Sequence, residues 1–451
     1  MTTTINNEHK KLNFSSEREQ SQACLNSAEH EKNQGRKVLN VPNKREQNQT
    51  CLDYAEREGL RPKGNVPNLR FKEFEGEWSV TTLQKDCKVN PTNEKIADKF
   101  VYVDLESVTQ GQLNKHQILT KEEAPSRAQR VLHTDDILFQ CVRPYQMNNY
   151  MVKDAMSNIQ WVASTGYAQI RTQIDYPTFL YYVLNTPKYN KAVMVRCTGS
   201  SYPAINSDDL SKIPFYKCGI AEQRKIATFL SLLDERIATQ SKIIDKLQSL
   251  IKGINQRVFM NSGTNYKLGE ICEIRSGYSG SQHLSKKGLK VSRIETISGH
   301  KVNMERVGYV APFESSENYR LRVGDILFSN INSVEYIGNT AFIDKDYDLY
   351  HGMNLLRLTP NHIVVIPFYL YLLLNTNRML NRFKAVCNKA VSQASINQTE
   401  LGKTVVQIPP INTQEQICEL YQALYTKLET ESHTKSLFQN QKQYMLRQMF
   451  I

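Results

Sequence analysis

Residues 201–259 read SYPAINSDDLSKIPFYKCGIAEQRKIATFLSLLDERIATQSKIIDKLQSLIKGINQRVF, and much of this stretch is repeated at the end of the chain. Ser201, Ile205, Asn206, Leu210, Lys212, Ile220, Gln223, Ile226, Leu233, Thr239, Ser241, Gln248 and Phe259 each recur 191 positions later, without a gap. Their copies are Ser392, Ile396, Asn397, Leu401, Lys403, Ile411, Gln414, Ile417, Leu424, Thr430, Ser432, Gln439 and Phe450. Upstream the register drifts slightly. Asp136-Ile137-Leu138-Phe139 returns as Asp325-Ile326-Leu327-Phe328, and Leu184-Asn185-Thr186 as Leu374-Asn375-Thr376. Solenoid units repeat every 20 to 50 residues, so this period marks two domain-sized halves. Each half is a globular part followed by a long helix, and such pseudo-symmetry suits a partner that also has two halves.

The helices follow from spacing. Ile226, Leu230, Leu233, Ile237, Gln240, Ile244, Leu247, Ile251, Ile254 and Val258 step by four and three, a heptad seam that is apolar except at Gln240. The second seam, Ile417, Tyr421, Leu424, Leu428, Glu431, Lys435, Phe438, Lys442, Met445 and Met449, holds three charged positions. Alone it is weak and requires a tertiary partner. The spacing therefore predicts mutual antiparallel pairing of 226–258 with 417–449, against the plainer alternative of two helices lying on their own domains. Pro214 and the Pro409-Pro410 pair precede the two helices as breakers. A continuous helix over 221–259 would be about 58 Å long, the length of roughly 17 base pairs of duplex. Two globular heads on such a rod would form a ruler.

The 451 residues leave room for two or three domains with their own cores. An apolar share of 40% with 23% charged residues reads as a globular chain. The net charge of +12 favours an anionic partner, although it is spread along the chain without a polybasic tail. The nine cysteines show no zinc-ligand spacing, and their odd number suits a reducing cytosol. No signal-peptide hydrophobic region opens the chain, and the most apolar run, 363–374, is short and broken by Pro367. These features read as a cytoplasmic protein.

Residues 1–66 read as a polar, flexible extension. They contain a younger tandem repeat, 18–25 against 45–52, and Asn40-Val41-Pro42-Asn43 returns as Asn65-Val66-Pro67-Asn68. From Leu69 the texture is mixed α/β. Phe100-Val101-Tyr102-Val103 and Ile137-Leu138-Phe139 predict strands, and 178–185 a buried helix. The second half repeats this order with 325–328 and 368–375. The predicted divisions are a first globular part at 67–218, a helix at 219–260, a second globular part at 261–404 and a helix at 405–451.

Catalytic signatures are missing. There is no glycine-rich phosphate loop, no H-E-x-x-H, no Asn-Pro-Pro-aromatic of an amino-methyltransferase and no nuclease carboxylate–lysine set. Asp136 and Asp325 recur, but each opens a strand, where a turn or cap role is expected. The chain reads as non-enzymatic, with no metal site.

Together these features resemble the specificity subunit of type I restriction–modification systems. The resemblance is carried by 71–78, by Ser164-Thr165-Gly166-Tyr167-Ala168, by Lys267-Leu268-Gly269-Glu270-Ile271, and above all by 219–230, GIAEQRKIATFL, with its second copy from Ile408-Pro409-Pro410 through Gln414 and Ile417. It spans about 67–451, while the first 65 residues depart from it. It implies two target-recognition domains joined by two long helices in an antiparallel coiled coil. Each domain would read one half of a bipartite site on double-stranded DNA. Two modification subunits carrying S-adenosylmethionine would dock on the helices. Two restriction subunits using ATP and Mg would complete a restricting complex, and this chain itself would bind no cofactor.

On that reading, groove readers require polar and aromatic loops on a rigid scaffold. The first-half candidates are Arg143, Tyr145, Gln146, Asn148 and Asn149, with Lys95, Arg127 and Arg130 toward phosphates. The second-half candidates are Arg275, Ser276, Tyr278 and Ser279 beside a glycine-rich bend, followed by Lys286, Lys287, Lys290 and Arg293. Taken singly, each is as readily solvated surface as DNA contact. Two alternatives share many of these features: a subunit of a stand-alone adenine methyltransferase, and a coiled-coil scaffold that binds no nucleic acid.

Overall fold

The computed structural model describes residues 64–451 apart from Asn93, 154–158, Ile174, Ser200, 260–262, 283–285 and 390–392. The tandem repeat at 18–25 and 45–52 lies outside the described residues. The chain divides into two units, Met1–Asn68 and Leu69–Ile451, and both globular halves belong to the second.

The two halves share one scaffold. Ser79–Thr82 pairs antiparallel with Pro214–Lys217 in the first half, and Thr264–Lys267 with Val405–Ile408 in the second. One turn of helix follows each opening strand, Leu83–Asp86 and Leu268–Ile271. A four-stranded sheet comes next, in the order Cys87–Val89, Tyr167–Thr172, Ile137–Gln140, Tyr150–Met151. Its counterpart runs Cys272–Ser276, Leu356–Pro360, Ile326–Phe328, Thr340–Phe342. Two helices pack on each, Pro177–Leu184 with Pro187–Arg196, and Pro367–Leu374 with Asn377–Val386. The predicted strand at 137–139, its repeat at 325–328 and the two predicted buried helices fall on these elements. Pro214, expected to break the chain before a helix, instead opens a strand, where its missing N–H sits at the strand end.

The repeated residues are those that fasten this scaffold. The carboxylate of Asp136 accepts from the backbone N–H of His133, and that of Asp325 from Arg322, each at 2.8 Å, closing the turn before the strand. Asn206 and Asn397 cap matching short helices by accepting from Asp209 N and Glu400 N. Such a cap is worth about 1 kcal/mol. Gln223 and Gln414 are both buried. Each accepts from the backbone N–H of the loop before the packing helix, Tyr176 or Ile366, and donates to a carbonyl just upstream, Cys218 or Pro409. The glutamine thus ties the start of the long helix to its own domain.

What the scaffold carries differs between the halves. The first half inserts a second four-stranded sheet, Gln117–Thr120, Lys99–Val103, Gln160–Ser164, Ala128–Leu132, with the two central strands parallel. The buried run Phe100–Val103 fits that central place. The second half carries a two-stranded ribbon, Leu289–Val291 with Gly308–Val310, and short 3-10 turns.

The central helix, Ile220–Val258, and the C-terminal helix, Ile411–Gln448, have 39 and 38 residues, so each is about 58 Å long. They pair antiparallel. Asp234 meets Lys442 at 2.6 Å, Gln240 meets Glu431, and the Tyr421 hydroxyl meets Asn255. The three charged positions of the second seam are thereby largely explained, since Glu431 and Lys442 answer Gln240 and Asp234. Each helix begins in its own domain and ends in the other. Leu446 and Met449 join the first-half core with Ile226 and Leu230, and Ile251 joins the second-half core with Ile417 and Tyr421. Among the described residues no helix is long and apolar enough to cross a membrane, and no His, Cys, Asp and Glu cluster could hold a metal.

Candidate nucleic-acid interface

In the first half, the end of the scaffold strand Ile137–Gln140 and the inserted sheet enclose an open cleft of about 690 Å³. Three of the predicted readers line it, Arg143, Gln146 and Asn148, together with Arg127, predicted to face phosphates. The loop that carries the three readers is held stiffly. Arg143 and Met147 both adopt left-handed φ, 54° and 52°, around the turn Pro144–Gln146. Non-glycine residues hold that conformation only when the surroundings impose it. Here the Arg143 N–H donates to Pro203 O at 2.8 Å, and its guanidinium lies 4.4 Å from the Tyr202 ring centroid. That stacking leaves the guanidinium edge available in the cleft.

Asn149, grouped with the readers on sequence, sits inside the scaffold instead. It is 2% exposed, accepts from Gln140 N at 2.8 Å and donates to Asn185 Oδ1 at 3.2 Å. Tyr145 is half-exposed at the loop tip, outside the cleft lining. Arg130 donates to Tyr167 O at 3.1 Å, which ties it to the scaffold, and Lys95 is exposed on the approach to the inserted sheet. Glu106 and Glu123 also line the cleft, so its wall is not uniformly basic.

The second half has a cleft of about 460 Å³ lined by Arg275, Ser276, Asn318, Tyr319, Arg357 and Gln398, among others. Arg275 and Ser276 are the predicted residues that reach it. Tyr278 lies beside the cleft, stacked on Phe313 with centroids 4.0 Å apart and 9° between planes. The glycine-rich bend has a steric reason: a Cβ on Gly277 would stand 1.9 Å from Gly352 O. Ser279, Lys286, Lys287 and Arg293 are exposed and do not line the cleft, and Lys290 is 3.9 Å from Asp348.

Arg357 was not apparent from spacing. It is 8% exposed, and its two terminal nitrogens donate to Arg320 O and Asn318 O at 3.2 Å, fixing the loop on the cleft wall. His351 is buried beside it, with Nε2 3.0 Å from Leu355 O. Burial pushes the imidazole down to about 4, the Leu355 bond opposes this, and the Arg357 charge adds to it. The ring is neutral, so Nε2 donates. Gln140 was missed as well. Its signal was a polar residue ending the otherwise apolar strand ILFQ, all four residues of which are buried.

Comparison with known proteins agrees with this architecture. A type I restriction enzyme MjaX specificity subunit of Methanocaldococcus jannaschii is 38% identical over 188 residues, 41% of this chain and 44% of that protein. The type I restriction enzyme HindI specificity subunit of Haemophilus influenzae is 26% identical over 133 residues, 29% of this chain and 28% of that protein. The chain thus spans less than half the length of these curated relatives. A chain from a structural study of assembly and conformational transition in the type I R-M system superposes with a TM-score of 0.55 at 22% identity, covering 82% of this chain and 96% of its own. The S subunit of a type I restriction-modification system from M. genitalium gives 0.54 at 16% identity, covering 86% and 99%. At those identities the likeness is one of fold. The family model for the type I restriction modification DNA specificity domain matches twice, at 77–249 and 262–437, one copy on each half with its helix, and the chain belongs to that family.

Proposed function

We propose that this chain is the non-catalytic, sequence-reading subunit of a type I restriction–modification complex. A first recognition domain at 67–218 and a second at 261–404 each read one half of a bipartite site on double-stranded DNA. The helices at 219–260 and 405–451 set the gap and seat two modification subunits. S-adenosylmethionine belongs to those subunits, and ATP and Mg to the two restriction subunits of a restricting assembly. The work is cytoplasmic. The observation that carries this reading is one scaffold built twice, with a different cleft on each copy and one pair of helices between. A duplicated frame with unlike clefts suits two unlike half-sites, as dimeric readers suit like ones. The cleft residues Arg127, Arg143, Gln146 and Asn148, and Arg275 and Ser276, are the proposed base and backbone contacts. Lys95, Lys286, Lys287, Lys290 and Arg293 would supply outlying phosphate contacts.

The test is selection of bound duplexes from a randomised pool by the full chain with the subunits it co-purifies with. Two short conserved motifs at a constant gap are expected. Exchange of 77–204 for the matching segment of a relative should then change one motif only. Selection without any motif would overturn the proposal, and change in both motifs would overturn independent reading.

A further inference from the structure

We infer that the first recognition domain reads a guanine, through a loop whose hydrogen-bonding polarity is set by Gln140. This rests on the DNA-reading function proposed above and deepens it. The two ends of a carboxamide are told apart only by partners whose own role is fixed, and a backbone N–H is such a partner, since it can only donate. Asn148 N donates to Gln140 Oε1 at 3.1 Å, so the oxygen end of Gln140 is assigned. The group it turns to Gln146, 2.8 Å away, is then its Nε2, and Gln146 must accept through Oε1. Gln140 is 2% exposed, so the oxygen of Gln146 points inward and its NH2 is left for the cleft. A second backbone group orients the neighbour. Gln110 N donates to Asn148 Oδ1 at 3.0 Å, which leaves the Asn148 NH2. Neither amide nitrogen has an acceptor among the described residues. With the Arg143 guanidinium on Tyr202, three side chains of one loop present donors to one cleft.

Three donors converging from one loop select an acceptor-only edge. In the major groove guanine offers N7 and O6, two acceptors side by side. Adenine pairs an acceptor with an amino group, thymine an acceptor with a methyl, and cytosine presents an amino group. Phosphate oxygens are acceptors too, but two of the three donors here are neutral amides, and Glu106 and Glu123 stand in the same cleft. Carboxylates repel a phosphate, whereas they can accept a hydrogen bond from the N4 amino group of the cytosine paired with a guanine. The relay has no counterpart in the second half, where Ser329 stands in the place of Gln140 after the repeated Asp-Ile-Leu-Phe.

The test uses the full chain with its co-purifying subunits and the duplex selected as above, with the first-domain motif assigned by the 77–204 exchange. Each guanine of that motif is replaced in turn by 7-deazaguanine, which removes the N7 acceptor, and binding is measured by gel shift. At least one replacement should weaken binding about ten-fold. Gln146→Glu, an exposed isosteric change of donor to acceptor, should abolish the preference at that base pair and leave the other motif intact. Gln140→Leu should relax the same base pair by releasing the amide. A first-domain motif without guanine, or 7-deazaguanine without effect, would overturn the inference. So would a Gln146→Glu loss spread evenly over all sequences, which would mark a phosphate contact. Selection without any motif would remove the proposed function and this inference together.

Discussion

Gln240 and Glu431 occupy the same place in the two repeats, and they meet each other. Gln240 Nε2 lies 3.3 Å from Glu431 O and also donates to its carboxylate. A residue touches its own copy only where a two-fold axis passes between them, so this contact marks the pseudo-dyad of the helix pair. It also explains why both seams carry a polar step at this same point. A polar pair at a seam position sets the register of the helices.

The register gives the first prediction. Deleting one heptad from each helix, centred on the dyad at 237–243 and 428–434, keeps all other seam contacts and shortens the rod by about 10 Å. The spacer in the selected DNA motif should shorten by about three base pairs while both half-sites keep their bases. A constant spacer, or altered half-sites, would show that the helices do not measure the gap. Deleting a heptad from one helix only would oppose unmatched residues, and a lowered melting temperature is expected.

A second prediction follows from the crossing of the helices. Phe450 belongs to the second repeat but lies 5.6 Å from Phe179 and 6.2 Å from Trp78 in the first-half core. Its copy, Phe259, lies 5.5 Å from Tyr369 in the second. Phe450→Ala should therefore destabilise the first half, by on the order of 2 to 3 kcal/mol for a partly exposed ring. The two tryptophans of the chain, Trp78 and Trp161, are both buried in that half. Tryptophan fluorescence during urea unfolding should report the shift for Phe450→Ala and remain unmoved for Phe259→Ala, which far-UV dichroism should detect.

These contacts bear on how much the sequence makes legible. The frame is legible because it is built twice: Gln223, Asn206 and Asp136 stand out by recurring, and each proves to be a fastening residue. The seam is legible because a heptad is a local pattern. The clefts are only partly legible. Arg143, Gln146 and Asn148 fall in one loop, and the polar–aromatic texture of that loop marks them. Tyr202 and Arg357 come from segments the loop texture does not mark, Gln140 hides at the end of an apolar strand, and Asn149 looks like its neighbours in sequence, yet its side chain turns inward. Which way a side chain faces at a turn depends on backbone angles such as the left-handed φ of Arg143, and residue type does not reveal these.

A third prediction comes from one place where the two copies of the frame differ. In the first half Lys217 bridges Asp86 at 2.7 Å and Asp175 at 3.3 Å, within a largely buried site. The matching residues of the second half are Ile408, Ile271 and Val365, all buried and apolar. One site is thus filled by an ionic triad in one copy and by hydrocarbon in the other. Desolvation offsets much of a buried ion pair's attraction, so exchanging a whole buried triad for packed apolar residues is typically neutral or stabilising by about 1 to 4 kcal/mol. Asp86→Ile, Asp175→Val and Lys217→Ile together should leave the first half at least as stable. Lys217→Ile alone would leave two facing carboxylates and should cost about 3 kcal/mol. The urea midpoint read by tryptophan fluorescence decides it, and a triple variant less stable than the single would refute the equivalence of the two sites.

The last prediction concerns acid. His351 is buried with its Nε2–H committed to Leu355 O, and burial holds the ring down to about 4, well under the usual histidine value of 6.5. Between those two values the unfolded chain binds a proton at this residue and the folded chain does not. Stability from His351 is therefore fully present above pH 6.5, is lost as pH falls toward 4, and falls no further from this group below that. At about 1.4 kcal/mol per unit, the whole loss is roughly 3 kcal/mol. It should fall on the second half, because the ring packs beside Arg357 at the cleft and makes no contact with the first-half core. Hydrogen exchange at pH 7 and pH 5, corrected for intrinsic rates, should show protection falling in the strands Ile326–Phe328 and Leu356–Pro360 more than in Ile137–Gln140. His351→Asn, which cannot charge, should be less stable at pH 7 but lose less of its second-half protection on acidification. If the variant lost protection as steeply as the parent chain, the acid sensitivity would lie in other groups, such as the paired carboxylates.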